Sequence, residues 1–191
     1  DAPLGISSTR DGTCDTSNYV TPMTSNTTRL NASIDALVDG GSTAGQLGIA
    51  WAWYMLSPNF ADVWDKEAEN RPELYTAPEL AKIAILMTDG EFNFATCTGV
   101  ASQSWGSGTR INCDPAKSPF DRAEEICAAM KQQGITIYTV GLQLDTTQYS
   151  DDFLLKCASS SAHAFLADDV DQLKAAFSKI AISISKLRIA R

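Results

Sequence analysis

One histidine, no basic surplus and no long apolar run: each shortage removes a class of function. His163 stands alone, and the five cysteines, Cys14, Cys97, Cys113, Cys127 and Cys157, contain no CxxC or CxxxxC pair, so a zinc site has little support. Lys and Arg number 15 against 23 Asp and Glu, a formal net charge of −8. Nucleic acid and anionic membranes want a basic face, so neither is expected as a partner. No apolar stretch approaches the roughly 20 residues of a membrane span. No Gly-x-Gly-x-x-Gly, P-loop or Gly-x-Ser-x-Gly occurs, and no nucleophile–base pair or carboxylate pair has the context of acid–base work. The chain is therefore expected not to be an enzyme.

What remains is ordinary globular composition. The 191 residues suit one α/β domain with its own core, and 44% hydrophobic against 20% charged is typical. The opening "DAPLGISSTRDG" has neither a basic n-region nor an apolar core, so it is not a signal peptide. The expectation is a chain that starts after processing or partway through a longer protein. Scattered cysteines suggest disulfides and an oxidising compartment, with buried free thiols as the alternative.

Residues 1–28 are loop-rich, with one extended piece at "NYVTPMT". "TTRLNASIDALV" has Leu30, Ile34, Leu37 and Val38 at helical spacing and stops at Gly40 and Gly41. "GQLGIAWAWYMLSP" predicts a second helix, apolar on most sides and hence buried, with Trp51 and Trp53 as packing residues. "NFADVWDKEAENRPELYTAPEL" reads as a connecting loop. "KIAILM" is a continuous apolar run, as in a strand covered on both faces. After a long Gly/Ser/Asn-rich loop come the helix "DRAEEICAAMKQQG", the strand "ITIYTVGL", the short helix "YSDDFLLKCAS" and the short strand "HAFLA". A last helix carries Leu173, Phe177, Ile180, Ile184 and Leu187 as its stripe, with aspartates first and basic residues last. Alternation of strands and helices predicts an open, doubly wound (Rossmann-like), mainly parallel α/β sheet.

Ligands of such sheets gather at the carboxyl ends of the strands. "KIAILM" ends there on Thr88-Asp89-Gly90, and Thr43 opens the buried helix from the small-residue loop "DGGSTAGQLG". A hydroxyl and a carboxylate suit a hard cation such as Mg²⁺, which takes oxygen ligands and keeps several waters. Each residue also has a plainer reading: Asp89 as a turn residue, Thr43 as an N-cap or hydroxyl turn.

"GSTAGQLGIAWAWYMLSPNFADVW", "KIAILMTDGEFN", "ICAAMKQQGITIYTVGLQL", "LLKCASSSAHAF" and "AFSKIAISISKLRIAR" occur in this order. Together they resemble a von Willebrand factor A domain, specifically the C-terminal domain of TadG-like (TadE/TadG family) pilus-assembly proteins of bacteria. The likeness runs from roughly residue 20 to the C-terminus, so 29–191 would be the C-terminal part of a single such domain. It implies a metal-ion-dependent adhesion site with Thr43 and Asp89 as ligands of Mg²⁺, or of Ca²⁺ or Mn²⁺, weak or absent in these residues alone. The family's Asp-x-Ser-x-Ser motif is missing, and the chain resembles the second half of the domain, without its first three strands. In the family's strand order, the first strand would pair with "KIAILM". The implied partners are pilus components or a surface ligand, and the first half of the domain in the same or a separate chain. The implied setting is extracytoplasmic, in a bacterial tight-adherence (Flp-type) pilus system as a minor pilin or assembly factor, or else as a scaffold with a degenerate metal site. In this picture Cys127 and Cys157, on helices either side of "ITIYTVG", reach one sheet face and pair; Cys97 and Cys113 staple the long loop; Cys14 is left over.

Overall fold

A computed structural model describes residues 20–38, 43–64, 71–90, 92, 96–98, 101–102, 118–144 and 150–189. Its elements are α1 (Thr27–Asp35), α2 (Gly45–Leu56), β1 (Ile83–Thr88), β2 (Thr96–Thr98), β3 (Ala101–Ser102), α3 (Pro119–Gln132), β4 (Thr136–Leu142), α4 (Ser150–Cys157), β5 (Ala164–Ala167) and α5 (Val170–Ile189). The main sheet has the order β1-β4-β5, with both pairings parallel. Ile83 lies opposite Thr136 and Thr88 opposite Gly141, so the carboxyl ends of β1 and β4 share one edge. A small antiparallel pair, β2 with β3, sits in the long loop.

Alternation along β4 sorts the helices onto two faces. Ile137 belongs to a core with Ala84, Ile49, Phe120, Met130, Phe153 and neighbours from α2, α3 and α4. Tyr138 and Val140 point the other way and pack on Leu173, Ile180 and Ile184 of α5. The fully buried Thr139 hydroxyl donates to the Leu154 carbonyl at 3.1 Å, which satisfies a polar group inside the sheet–helix layer. Below the start of β5, Ser159 continues the ladder: its N–H donates to Ile137 O, and its Oγ accepts from Ile137 N–H, both at 2.9 Å.

Helix α3 starts two residues before the sequence suggests. Ser118 and Asp121 form a capping box, and Pro119, which has no N–H to leave unsatisfied, takes the first turn. Gly134, at φ +78°, ends the helix in the left-handed conformation. Several expectations need correction, among them that β1 is covered on both faces, since Ile85 and Met87 are exposed, and that the first helix runs to Gly40, since α1 ends at Asp35. Helix α2 is half-buried rather than buried, with only Gln46 and Ile49 inside. It forms the outer layer, so α3 and β1 cover one side of it and a belt of aromatic residues partly covers the rest. Residues 58–64 are a 3-10 turn rather than plain loop: Pro58 opens it and Trp64, buried, donates its indole N–H to Tyr54 O at 3.2 Å. Phe177 is 40% exposed, and Ala176 takes the buried place, because α5 turns its 173–176–180–184 line to the sheet.

Among the described residues β1 has one neighbour, β4. Ile85 and Met87, on the α5 face of β1, are 40% and 56% exposed, since α5 lies over β4 and β5. Helix α1 is amphipathic yet buries no residue, so Leu30 and Ile34 and, just beyond it, Leu37 and Val38 are exposed.

Lys82 fastens the other end of β1. It is buried, and its Nζ donates at 2.6 Å to both Leu56 O, at the end of α2, and Glu73 O. Burial holds its pKa below the ordinary 10.5, with the charge of Glu73 pulling the other way. Lys82→Met leaves two carbonyls without their donor and is expected to cost about 1–3 kcal/mol in chemical denaturation. The pH dependence has a definite sign. Between the lowered folded value and 10.5 the unfolded chain binds more protons, so this residue's contribution to stability rises with pH across that window and is flat below it. The gap between wild type and Lys82→Met should therefore widen in alkaline titration.

Candidate metal site at the carboxyl edge of the sheet

Asp89 follows the last residue of β1 and is exposed at the carboxyl edge. The turn around it is set by its neighbours. Thr88 Oγ1 accepts from Gly90 N–H at 3.0 Å, and Gly90 adopts φ +101°, a conformation that side chains resist. The chain then drives Phe92 into the core, where it is 5% exposed.

Phe92 ties this loop to the start of α2. A Cβ on Gly45 would lie 2.0 Å from the Phe92 ring, so only glycine permits the approach. Thr43 stands two residues before Gly45 and is half-buried. Thr43 and Asp89 thus flank one tight contact between the α2 entrance and the β1 exit. The N-cap residue of α2 is Ala44, not Thr43, and it makes no side-chain cap bond. The positive end of the helix dipole remains at this edge.

A stacked aromatic floor lies beneath. The Phe92 and Phe120 rings are 4.7 Å apart and nearly parallel, and Phe153 meets them edge-on at 5.0 and 5.6 Å. Phe120 comes from the first turn of α3 and Phe153 from α4, so both helices contribute to it. Phe92 and Gly45 were not singled out in the sequence; Phe92 is one of three aromatic residues in a Gly/Ser/Asn-rich loop, with Phe94 and Trp105, and nothing local marks it from the others.

The two candidate donors, Asp89 and Thr43, are one carboxylate and one hydroxyl. They are hard oxygen ligands of the type Mg²⁺ prefers, and they fill only part of an octahedral shell. Among the described residues no group of three or more His, Cys, Asp or Glu is placed to hold a metal.

Cys127 and Cys157 are joined by a disulfide between α3 and α4, with Cα atoms 5.2 Å apart and both residues fully buried. Beside it Lys131 Nζ donates to Ala158 O at 3.2 Å, a cation on the carbonyl end of α4. Cys97 lies on β2, but its side chain, with Cys113 and Cys14, falls outside the described residues. His163 accompanies Ser160, whose Oγ is 2.6 Å from Nδ1, and its ring tilts against Tyr138; it is remote from Asp89, at the start of β5.

No family model matches the chain. No curated protein matches it either. The fold is similar to part of the pilus adhesin SpaC from Lactobacillus rhamnosus GG. Against its open conformation the TM-score is 0.56 at 18% identity, covering 83% of this chain and 21% of that one. A second crystal structure of SpaC gives 0.54 at 19% identity with the same coverage. The matched region is about a fifth of the adhesin's length, and at this identity the likeness shows the fold alone.

Proposed function

We propose that the chain is a non-enzymatic adhesion or assembly module of an extracytoplasmic bacterial pilus, of the TadG-like von Willebrand factor A type. Thr43 and Asp89 contribute to a metal-ion-dependent site that binds a protein partner. The observation that supports this is the Gly45–Phe92 contact, which joins the start of α2, just after Thr43, to the chain that follows β1 and Asp89. The fold shared with a pilus adhesin and the buried disulfide support the setting. When bound, Mg²⁺, Mn²⁺ or Ca²⁺ would offer an open position to an acidic side chain of a pilus component or surface ligand. Thr43 and Asp89 would hold the ion on the protein's side.

The remaining ligands would come from the first half of the domain, in the same polypeptide or a separate chain. The edge of β1 that is unpaired among the described residues fits a further strand running parallel to it, and the open Ile85–Met87 face fits a helix crossing beside α5. A scaffold or pilus-tip module with a degenerate site is the second reading, favoured by how few oxygen ligands the described residues bring together.

Titration with Mn²⁺, read as paramagnetic line broadening, separates the two. On the metal-site reading, millimolar Mn²⁺ broadens the Thr43 and Asp89 amide signals first, and Asp89→Asn removes the effect. Broadening spread over the acidic surface and unchanged in Asp89→Asn would overturn it. Tight binding in calorimetry would contradict the shared shell.

A further inference from the structure

At the opposite end of β1 from Asp89, a cleft opens between the end of α2, the 3-10 turn and the end of α3. Its volume is about 240 Å³, and Trp53, Tyr54, Phe60 and Tyr75 form aromatic walls. Ser57, Asn59 and Gln133 supply the polar part of the lining. We propose that this cleft binds a single neutral sugar ring.

The argument is one of matched chemistry. A pyranose has apolar C–H faces and a rim of hydroxyls, so it needs aromatic surface beside groups that both donate and accept. The aromatic surface is held rigid: Tyr54 and Phe60 stack at 4.1 Å, Trp51 meets Tyr54 edge-on at 5.5 Å, and Trp53 Nε1–H donates to the Tyr75 oxygen at 2.9 Å. That bond fixes the Tyr75 phenol as acceptor and leaves its own O–H to point at a ligand. Ser57 Oγ accepts from Asn59 N–H at 3.3 Å, which sets the turn that presents the Asn59 amide. The amides of Asn59 and Gln133 are exposed at the mouth, and each offers a donor pair and an acceptor, the complement of adjacent hydroxyls.

The same features reject other occupants. No lining residue is charged, and Lys82 behind Tyr75 directs its donors to the Leu56 and Glu73 carbonyls, so a carboxylate or phosphate finds no ion partner within the walls. A quaternary amine would suit an aromatic cage, but the Lys82 ammonium already lies 5.2 Å from the Tyr75 ring centre and would repel it. The volume falls below the roughly 300–1,000 Å³ of pockets for larger ligands, which limits the occupant to about one ring. The tryptophans expected as packing residues are half-exposed here, and Trp53 is a wall of the cleft.

The test is saturation-transfer NMR on the whole chain with the methyl glycosides of glucose, galactose, mannose and N-acetylglucosamine as probes. Transfer to ring C–H protons of at least one glycoside is expected, with millimolar affinity, and the Trp53 indole N–H signal should shift with it. Asn59→Ala and Gln133→Ala, both at exposed positions, should each weaken binding about tenfold, the loss of one good hydrogen bond. No transfer to any probe at tens of millimolar, transfer that persists undiminished in both variants, or displacement of the sugar by tetramethylammonium would each overturn the proposal.

Discussion

Reduction of the Cys127–Cys157 bond is expected to lower the unfolding free energy by about 4 kcal/mol, and the thermal midpoint by roughly 8–16 °C for a chain of this size. The sequence separation is 30, so opening the bond restores a loop of that length to the unfolded ensemble. The loop contains all of β4, the middle strand, and the bond ties the two helices that flank it on one face. Both sulfurs are fully buried, so the thiols left behind lie in apolar surroundings and gain no water. Lys131 still bridges to the end of α4 after reduction, which limits the loss to the covalent constraint. Scanning calorimetry with and without reductant reads the shift, and a Cys127→Ser, Cys157→Ser double variant should match or exceed it. An unchanged midpoint would show that native packing alone fixes α3 against α4. A large shift, in contrast, ties the fold to an oxidising compartment and accords with the extracytoplasmic setting proposed above.

How much of this was legible in the sequence follows from how local each signal is. The apolar run Ile83–Met87 and the alternation of strand and helix were enough for a parallel α/β sheet, because each strand's character lies in consecutive residues. The pairing of Cys127 with Cys157 was expected because α3 and α4, before and after β4, could reach one face; both pack there, whereas α4 and α5, around β5, take opposite faces. Helix α2 misled because apolar composition reports how much surface wants cover, not which cover it gets. Ile49 enters the core and Trp53 packs against its edge, whereas Trp51 and Tyr54 make do with one another and with Trp64 and Phe60. The β2–β3 pair escaped notice since strands of three and two residues carry no periodicity. The candidate metal site was legible only in part. Asp89 stands out at a strand end, but Thr43 is one hydroxyl among many in its loop. The contact that brings the two loops together, Gly45 on Phe92, joins residues far apart in sequence.

That contact rests on Phe153, and Phe153→Ala is expected to cost about 3–5 kcal/mol. The side chain is 1% exposed and meets both Phe92 and Phe120 edge-on, so truncation opens a cavity bounded by two stacked rings that cannot both collapse into it. Phe153→Leu keeps most of the volume and should cost under about 1.5 kcal/mol. The two variants then separate stability from site geometry. In Phe153→Ala the Phe92 ring loses its edge contact and keeps only its stack on Phe120, which loosens its seat against Gly45. Hydrogen exchange at Gly90 and at the first turn of α2 should accelerate more than at β4, whose ladder to β1 and β5 stays paired. Denaturant unfolding gives the energy, and exchange gives its distribution. Equal acceleration everywhere would mean that Phe153 stabilises the domain as a whole, without a special hold on the Asp89 edge. Acceleration confined to that edge makes the aromatic floor the element that holds the two candidate metal ligands in place.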